Sequence, residues 1–207
     1  MIITDSQERI LEKATELFMR FGVRSVTMSD IAKELGMSKK TIYQYYSDKN
    51  ALVRAFAKNT LESNTCIVDN IIDEAQDGLS MLFRLSEHFK QMLKNMNPIL
   101  FNDLHKYYPE VWKLYEEHKV EQMQDNLVKA MERGQEQGLF LKYIDKNILA
   151  RMRTAQVEMG FNPSIFPQDK FSTLDVQMEL AEHFIRGICT EKGIKLMEKY
   201  KAELNNQ

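Results

Sequence analysis

Lys39, Lys40, Thr41, Tyr43 and Gln44 crowd amines, hydroxyls and an amide into one short stretch, interrupted by the apolar Ile42 and followed by Tyr46. Ile42 and Tyr46 stand four residues apart. On a helix they share an inward face and leave the five polar side chains pointing outward. That set suits nucleic acid. Lysines neutralise phosphates or reach guanine, glutamine pairs bidentately with adenine, and a threonine methyl touches thymine. The other chemically capable residues are dispersed. His88, His105, His118 and His183 form no helical pair at metal-ligand spacing, and Cys66 and Cys189 stand far apart in the chain, so no metal site, catalytic constellation or cofactor is expected. His118 lies between Glu117 and Glu121, and Glu179 lies four residues before His183. On helices such pairs are usually solvated surface couples. A glycine-rich phosphate loop is absent from the sequence, which reads as that of a non-enzyme.

The elements that must position the polar cluster are legible around it. Thr27 followed by Asp30 resembles a capping box, after which Ile31, Ala32 and Leu35 fall on one helical face. Gly36 stands where that helix must stop and the chain reverse, a place for positive φ. Ser38 then caps the second helix. Upstream, Ile10, Ala14, Leu17, Phe18 and Phe21 repeat at helical spacing before Gly22, which predicts a first helix packed beneath the pair. Two helices around a tight turn above a third make a helix-turn-helix head, with the polar cluster at the front of the recognition helix.

From Arg9 to about Phe56 the sequence resembles the DNA-binding module of the TetR family of bacterial transcriptional regulators. The similarity rests on ILEKATELFMRFGV, on the helix opened by Thr27, and on SKKTIYQYYSDKNAL, which follows the family pattern Ser-Lys-Gly-x-apolar-Tyr-x-His-Phe, then Lys and Leu. Lys40 stands where the family often has Gly, and Tyr45 where it often has His. The resemblance implies phosphate contacts from Thr27, Ser38, Tyr43 and Lys49, and base or groove contacts from Lys39, Lys40 and Gln44, with Thr41 and Tyr45 beside them. It also implies a homodimer on a palindromic double-stranded operator, and a small-molecule effector that releases it. Repression is the expected outcome. A DNA-binding architectural or cell-division factor without a ligand would use the same head.

Composition bounds the remainder. At 207 residues and 43% hydrophobic, the chain can bury a substantial core. No apolar run is long enough to span a membrane. The first residues lack the basic and apolar regions of a signal peptide, and the cysteine usage is no disulfide framework, so a cytoplasmic protein is expected. Residues 1–57 carry net +2 within a chain of net −2, so affinity for DNA must come from a local patch.

No strand pattern is visible, and the expected fold is all-α: a helix-turn-helix domain over 1–48 and a larger helical effector-binding and dimerisation domain over 49–207. A long helix from about Lys49 toward Asp77 would act as a lever between them, the Asp77-Gly78 pair ending it. The segment from Leu79 to Met96 is apolar on several sides, a short helix should run from Pro98 to about Tyr108, and the next from Glu110 to Gln137 with Gly138 as its stop. Asp145 should cap a helix closed by Gly160, and a last long helix should start near Thr173, with a further helical piece after Gly193. An apolar effector pocket is expected from Phe89, Met92, Met96, Phe101, Trp112, Tyr115, Met123 and Met152, oriented by Gln156 or His105. Two apolar stripes offer a twofold interface: Ile148, Ala155 and Met159 on one helix, and Met178, Ala181, Phe184, Ile185 and Ile188 on the other.

Overall fold

The computed structural model describes residues 5–205. In chain order the helices are α1 (Asp5–Phe21), α2 (Met28–Leu35), α3 (Lys39–Tyr45), α4 (Lys49–Glu74), α5 (Gly78–Lys94), α6 (Ile99–Tyr107) and α7 (Pro109–His118). A π-helical stretch, Lys119–Gln124, leads into α8 (Asp125–Glu136), followed by α9 (Lys146–Gly160), α10 (Thr173–Ile188) and α11 (Glu191–Asn205). The protein is all-α, and the one β-type pairing among the described residues is an isolated antiparallel bridge between Phe140 and Cys189.

The chain packs as two units. The first comprises the described residues up to Asn64 together with Leu93–Glu117; the second comprises Thr65–Met92 and everything from His118 onward that is described. In the first, Ile10, Ala14 and Phe18 of α1 meet Ile31 of α2, Ile42 of α3 and Leu52 and Phe56 of α4 in one buried cluster. Phe18 and Phe56 sit edge to face with centroids 5.4 Å apart, a geometry that adds to the burial of two large rings. Leu100 of α6 and Val111 of α7 belong to the same core. The division expected between 48 and 49 is therefore not where packing divides the chain: α6 and α7 join the head. Arg24 N–H donates to Asp103 Oδ2 at 2.8 Å, Asn97 N–H to Met19 O at 2.6 Å, and Asn97 Nδ2 to Arg20 O at 3.2 Å.

In the second unit Leu79, Met81, Ala130, Met131, Phe140, Phe184, Ile185, Ile188 and Met197 form the core. The Asp77-Gly78 pair starts α5 instead of ending α4, which stops at Glu74. Asp77 Oδ1 accepts the Ser80 N–H at 2.7 Å as a cap. Gly78 is required by close approach, since a Cβ there would run into the backbone of Ala130 and Gly134 on α8. Gly193 likewise does not precede the last helix but lies in its first turn, where a side chain would meet the Leu139 carbonyl. The helix expected from Glu110 to Gln137 is interrupted by the π-helical stretch, a register change that periodicity does not announce. Gly138, at φ 69°, ends α8 as expected. Along α5, Leu79, Met81, Leu82 and Leu93 are buried, while Phe83, Leu85, Phe89 and Met92 are only half-buried, so its apolar girth is less covered than its sequence suggests.

The expected dimer stripes divide. On α10, Ala181, Phe184, Ile185 and Ile188 are buried within the chain itself, the last three in the core of the second unit. They are taken up by intrachain packing and offer no free face, which corrects that expectation; Met178 is half-buried. On α9, Ile148 and Ala155 are exposed and Met159 is half-buried. Met152, expected in the pocket, is 42% exposed on α9, one turn from both Ile148 and Ala155. Its place is on that outer face.

Candidate nucleic-acid interface

Local chemistry builds the head as its residues require. Thr27 is a full capping box: its hydroxyl accepts the Asp30 N–H at 3.2 Å, and Asp30 Oδ2 accepts both the Thr27 N–H at 2.8 Å and the Thr27 hydroxyl at 2.7 Å. These hydrogen bonds hold the Asp30 carboxyl below its ordinary pKa, because each favours the charged form. Gly36 takes φ 64° as the C-cap of α2. Ser38 Oγ accepts the Thr41 N–H at 3.1 Å and opens α3, with the two hydroxyls 2.8 Å apart. Asp48 Oδ1 accepts the Ala51 N–H at 2.8 Å at the start of α4. Three capped helix N-termini, each the positive end of a dipole, thus belong to one small head.

Ile42 and Tyr46 are buried, and Lys39, Lys40, Tyr43 and Gln44 are exposed on α3, with Thr41 half-exposed. Thr27 and Ser38 are exposed too, at the helix starts where the resemblance places phosphate contacts. The Lys39 ammonium lies 5.7 Å from the Tyr43 ring centroid, a cation–π distance that keeps the two together on one side of the helix. Tyr45 is half-buried and packs against the core of the head, so less of it is free than of its neighbours. Lys49 is also half-buried. Its Nζ donates to the Arg24 carbonyl at 3.3 Å. Burial lowers the pKa of this amine, and the carboxylates of Asp103 and Asp30 oppose that shift.

Arg24, Asp103 and Tyr107 were not legible as a group in the sequence. The Arg24 guanidinium lies 4.8 Å from the Tyr107 ring centroid and donates to its hydroxyl at 2.9 Å, while Arg54 on α4 pairs with Glu110 on α7 at 3.3 Å. Contacts bridging 56 to 83 positions leave no periodic trace; the one local sign is Gly22 just before the loop, at φ 79°, where a Cβ would come within 3.1 Å of Asp103 Oδ2.

The residues expected to form one effector pocket divide between the two units. Met96, Phe101, His105, Trp112 and Tyr115 belong to the first. Phe101 meets Trp112 and Tyr115 edge to face at 4.9 and 5.3 Å. His105 lies tilted against Trp112, with centroids 4.5 Å apart; its exposure at the surface corrects its expected place in the pocket. Phe89, Met92, Met123, Met152 and Gln156 belong to the second unit. Among the described residues no cluster of three or more His, Cys, Asp or Glu side chains could hold a metal ion, and no helix is long and apolar enough to cross a membrane.

A capped helix-turn-helix with an exposed, hydrogen-bonding recognition helix, carried by a larger helical body, defines a DNA-binding regulator. Residues 10–56 match the family described as bacterial regulatory proteins, tetR family. The HTH-type transcriptional regulator YvaF of Bacillus subtilis is 25% identical over 186 residues, covering 89% of this chain and 96% of its own length. Two solved structures share the fold at TM-scores of 0.72 and 0.67: a regulator from Saccharomonospora viridis in complex with choline, 20% identical, and the fatty acid degradation regulator FadR from Bacillus halodurans, 16% identical. The first covers 90% of this chain and 99% of its own, the second 89% and 96%. Residues 10–56 thus carry the DNA-binding module of that family, and over most of its length the chain is similar to an HTH-type transcriptional regulator.

Proposed function

We propose that the protein is a homodimeric cytoplasmic repressor that leaves a palindromic operator when a small apolar or amphipathic effector binds its helical body. The observation that carries the reading is the head itself: α3 presents Lys39, Lys40, Tyr43 and Gln44 outward, with Thr27 and Ser38 at helix N-termini. Tyr43, Lys49, Thr27 and Ser38 position the module on phosphates, while Lys39, Lys40, Thr41 and Gln44 read base edges. Support for an effector comes from two regulators of the same fold, one bound to choline and one named for fatty acid degradation. The face of α9 carrying Ile148, Met152 and Ala155 is apolar and uncovered within the chain, and an isologous pairing of it gives the twofold symmetry that a palindrome requires. Selection of DNA from a random pool by the purified protein tests the reading. Enrichment of an inverted repeat with half-sites about 10 bp apart is expected; enrichment of bent or AT-rich DNA without a repeat would favour an architectural factor. A metabolite library screened on the selected operator then separates the two, since an effector must prefer the released state.

A further inference from the structure

Arg153 stands in the middle of α9, only 8% exposed. Its Nη1 is closed off from solvent and meets no acceptor, and among the described residues its guanidinium makes no hydrogen bond or ion pair. Burial lowers its pKa to about 10, which still leaves it charged at neutral pH. Buried charges are ordinarily paired, because neither water nor a neutral wall replaces the lost hydration. The nearby polar groups on α9 are occupied. Glu158 is bound to Lys119 at 2.6 Å, and the Thr154 hydroxyl donates back into its own helix at the Ala150 and Arg151 carbonyls. Three residues beyond Arg153, and so beside it on the helix, Gln156 has a second orphan: its Oε1 is buried without a partner. A carboxylate from a second copy of the chain is a poor candidate for Arg153, since the chain's own atoms already cover it.

We propose that the effector is a monoanion, a carboxylate on an apolar or amphipathic body, whose charged group is held by Arg153 with Gln156 beside it. This rests on the effector-released reading above and names the chemistry of that effector. A guanidinium presents parallel N–H groups that match both oxygens of a carboxylate. The Gln156 carboxamide can rotate to offer an N–H to the same group. Arg153 is the one buried charged side chain of the second unit among the described residues, the buried Cys189 thiol being neutral because burial pushes its pKa up to about 11. One negative charge therefore balances the site, and the second charge of a phosphate monoester would be left over.

The test uses the full chain, melted alone and with butyrate, octanoate, benzoate, octyl phosphate, octanamide or choline, and titrated onto its selected operator in the same solutions. At least one carboxylate should raise the melting temperature and release the operator, octanamide and choline should do neither, and octyl phosphate should act at least about tenfold more weakly than octanoate. Arg153→Met should melt about 2 °C or more above the parent without any probe, because an unpaired buried charge has been removed. It should also lose carboxylate affinity by at least ~30-fold. Arg153→Lys, which keeps the charge and loses the fork, should fall between the two and remains informative if Arg153→Met does not fold. A lower melting temperature for Arg153→Met, or a carboxylate response in Arg153→Lys equal to the parent's, would overturn the proposal. Release by octanamide or choline but by no carboxylate sinks the anion and leaves an effector-released regulator; if no probe acts at all, both readings fall.

Discussion

Replacing Asp103 should loosen the head although the residue is 79 positions from Arg24, because its carboxylate holds that residue's backbone N–H. Asp103 is 5% exposed, and its Oδ2 accepts the Arg24 N–H at 2.8 Å. A hydrogen bond to a charged group contributes about 1.5–3 kcal/mol. For a chain of this size that is a fall of roughly 3–12 °C in melting temperature. Asp103→Ala removes the acceptor; Asp103→Asn keeps a carbonyl oxygen in its place and should recover about half the loss. Arg24 precedes Thr27 by three residues, and its carbonyl receives the Lys49 ammonium, so the loop it anchors sets where α2 and α4 begin. Operator binding by Asp103→Ala should therefore weaken at all sequences alike, read by fluorescence anisotropy on the selected operator and on scrambled DNA. If Asp103→Ala stayed within about 0.5 kcal/mol of the parent by denaturant melting, or if Asp103→Asn were as damaging as Asp103→Ala, the reasoning would be wrong.

The remaining predictions address the interface, the cap and the assembly. Lys49→Ala should reduce the slope of log K against log[salt] by about 0.9 for a phosphate contact, whereas Gln44→Ala should relax preference at one base pair at a cost of about 1–3 kcal/mol in discrimination; reversed outcomes, seen in salt titrations and in binding to single-substituted operators, would exchange their roles. Thr27→Ala removes the hydroxyl bond that is the largest cause of the lowered Asp30 pKa. Carboxyl NMR should then show Asp30 titrating closer to its ordinary 3.8. The sign follows: a depressed carboxylate pKa contributes stability above the ordinary value and loses it as pH falls through the depressed one, so parent and variant should converge in acid. Ile148→Asp with Met152→Asp should give a monomer in sedimentation that keeps its helical circular dichroism, since both side chains are exposed, at 65% and 42%; an undiminished dimer would move the interface off this face of α9.

Short-range chemistry carried much of this protein in its sequence alone. Thr27 with Asp30, Gly36, Ser38 and Asp145 sit where caps and a left-handed turn are needed, and these depend on residues at most a few positions apart. The apolar spacing of Ile10, Ala14 and Phe18 placed a buried face under the recognition helix for the same reason. Facing partners are another matter. Phe184, Ile185 and Ile188 read equally well as interface or interior, because a stripe shows that a face must be covered and not by what; the fold covers them with its own second core. Gly78 and Gly193 read as breaks, since glycine marks both turns and close approaches, and only the opposing backbone of α8 and the Leu139 carbonyl show that close approach governs here. The tie from Asp103 to Arg24, and the isolation of Arg153, exist only in three dimensions: hydrogen bonding and burial are set by what tertiary packing brings within a few ångströms, which no local spacing encodes.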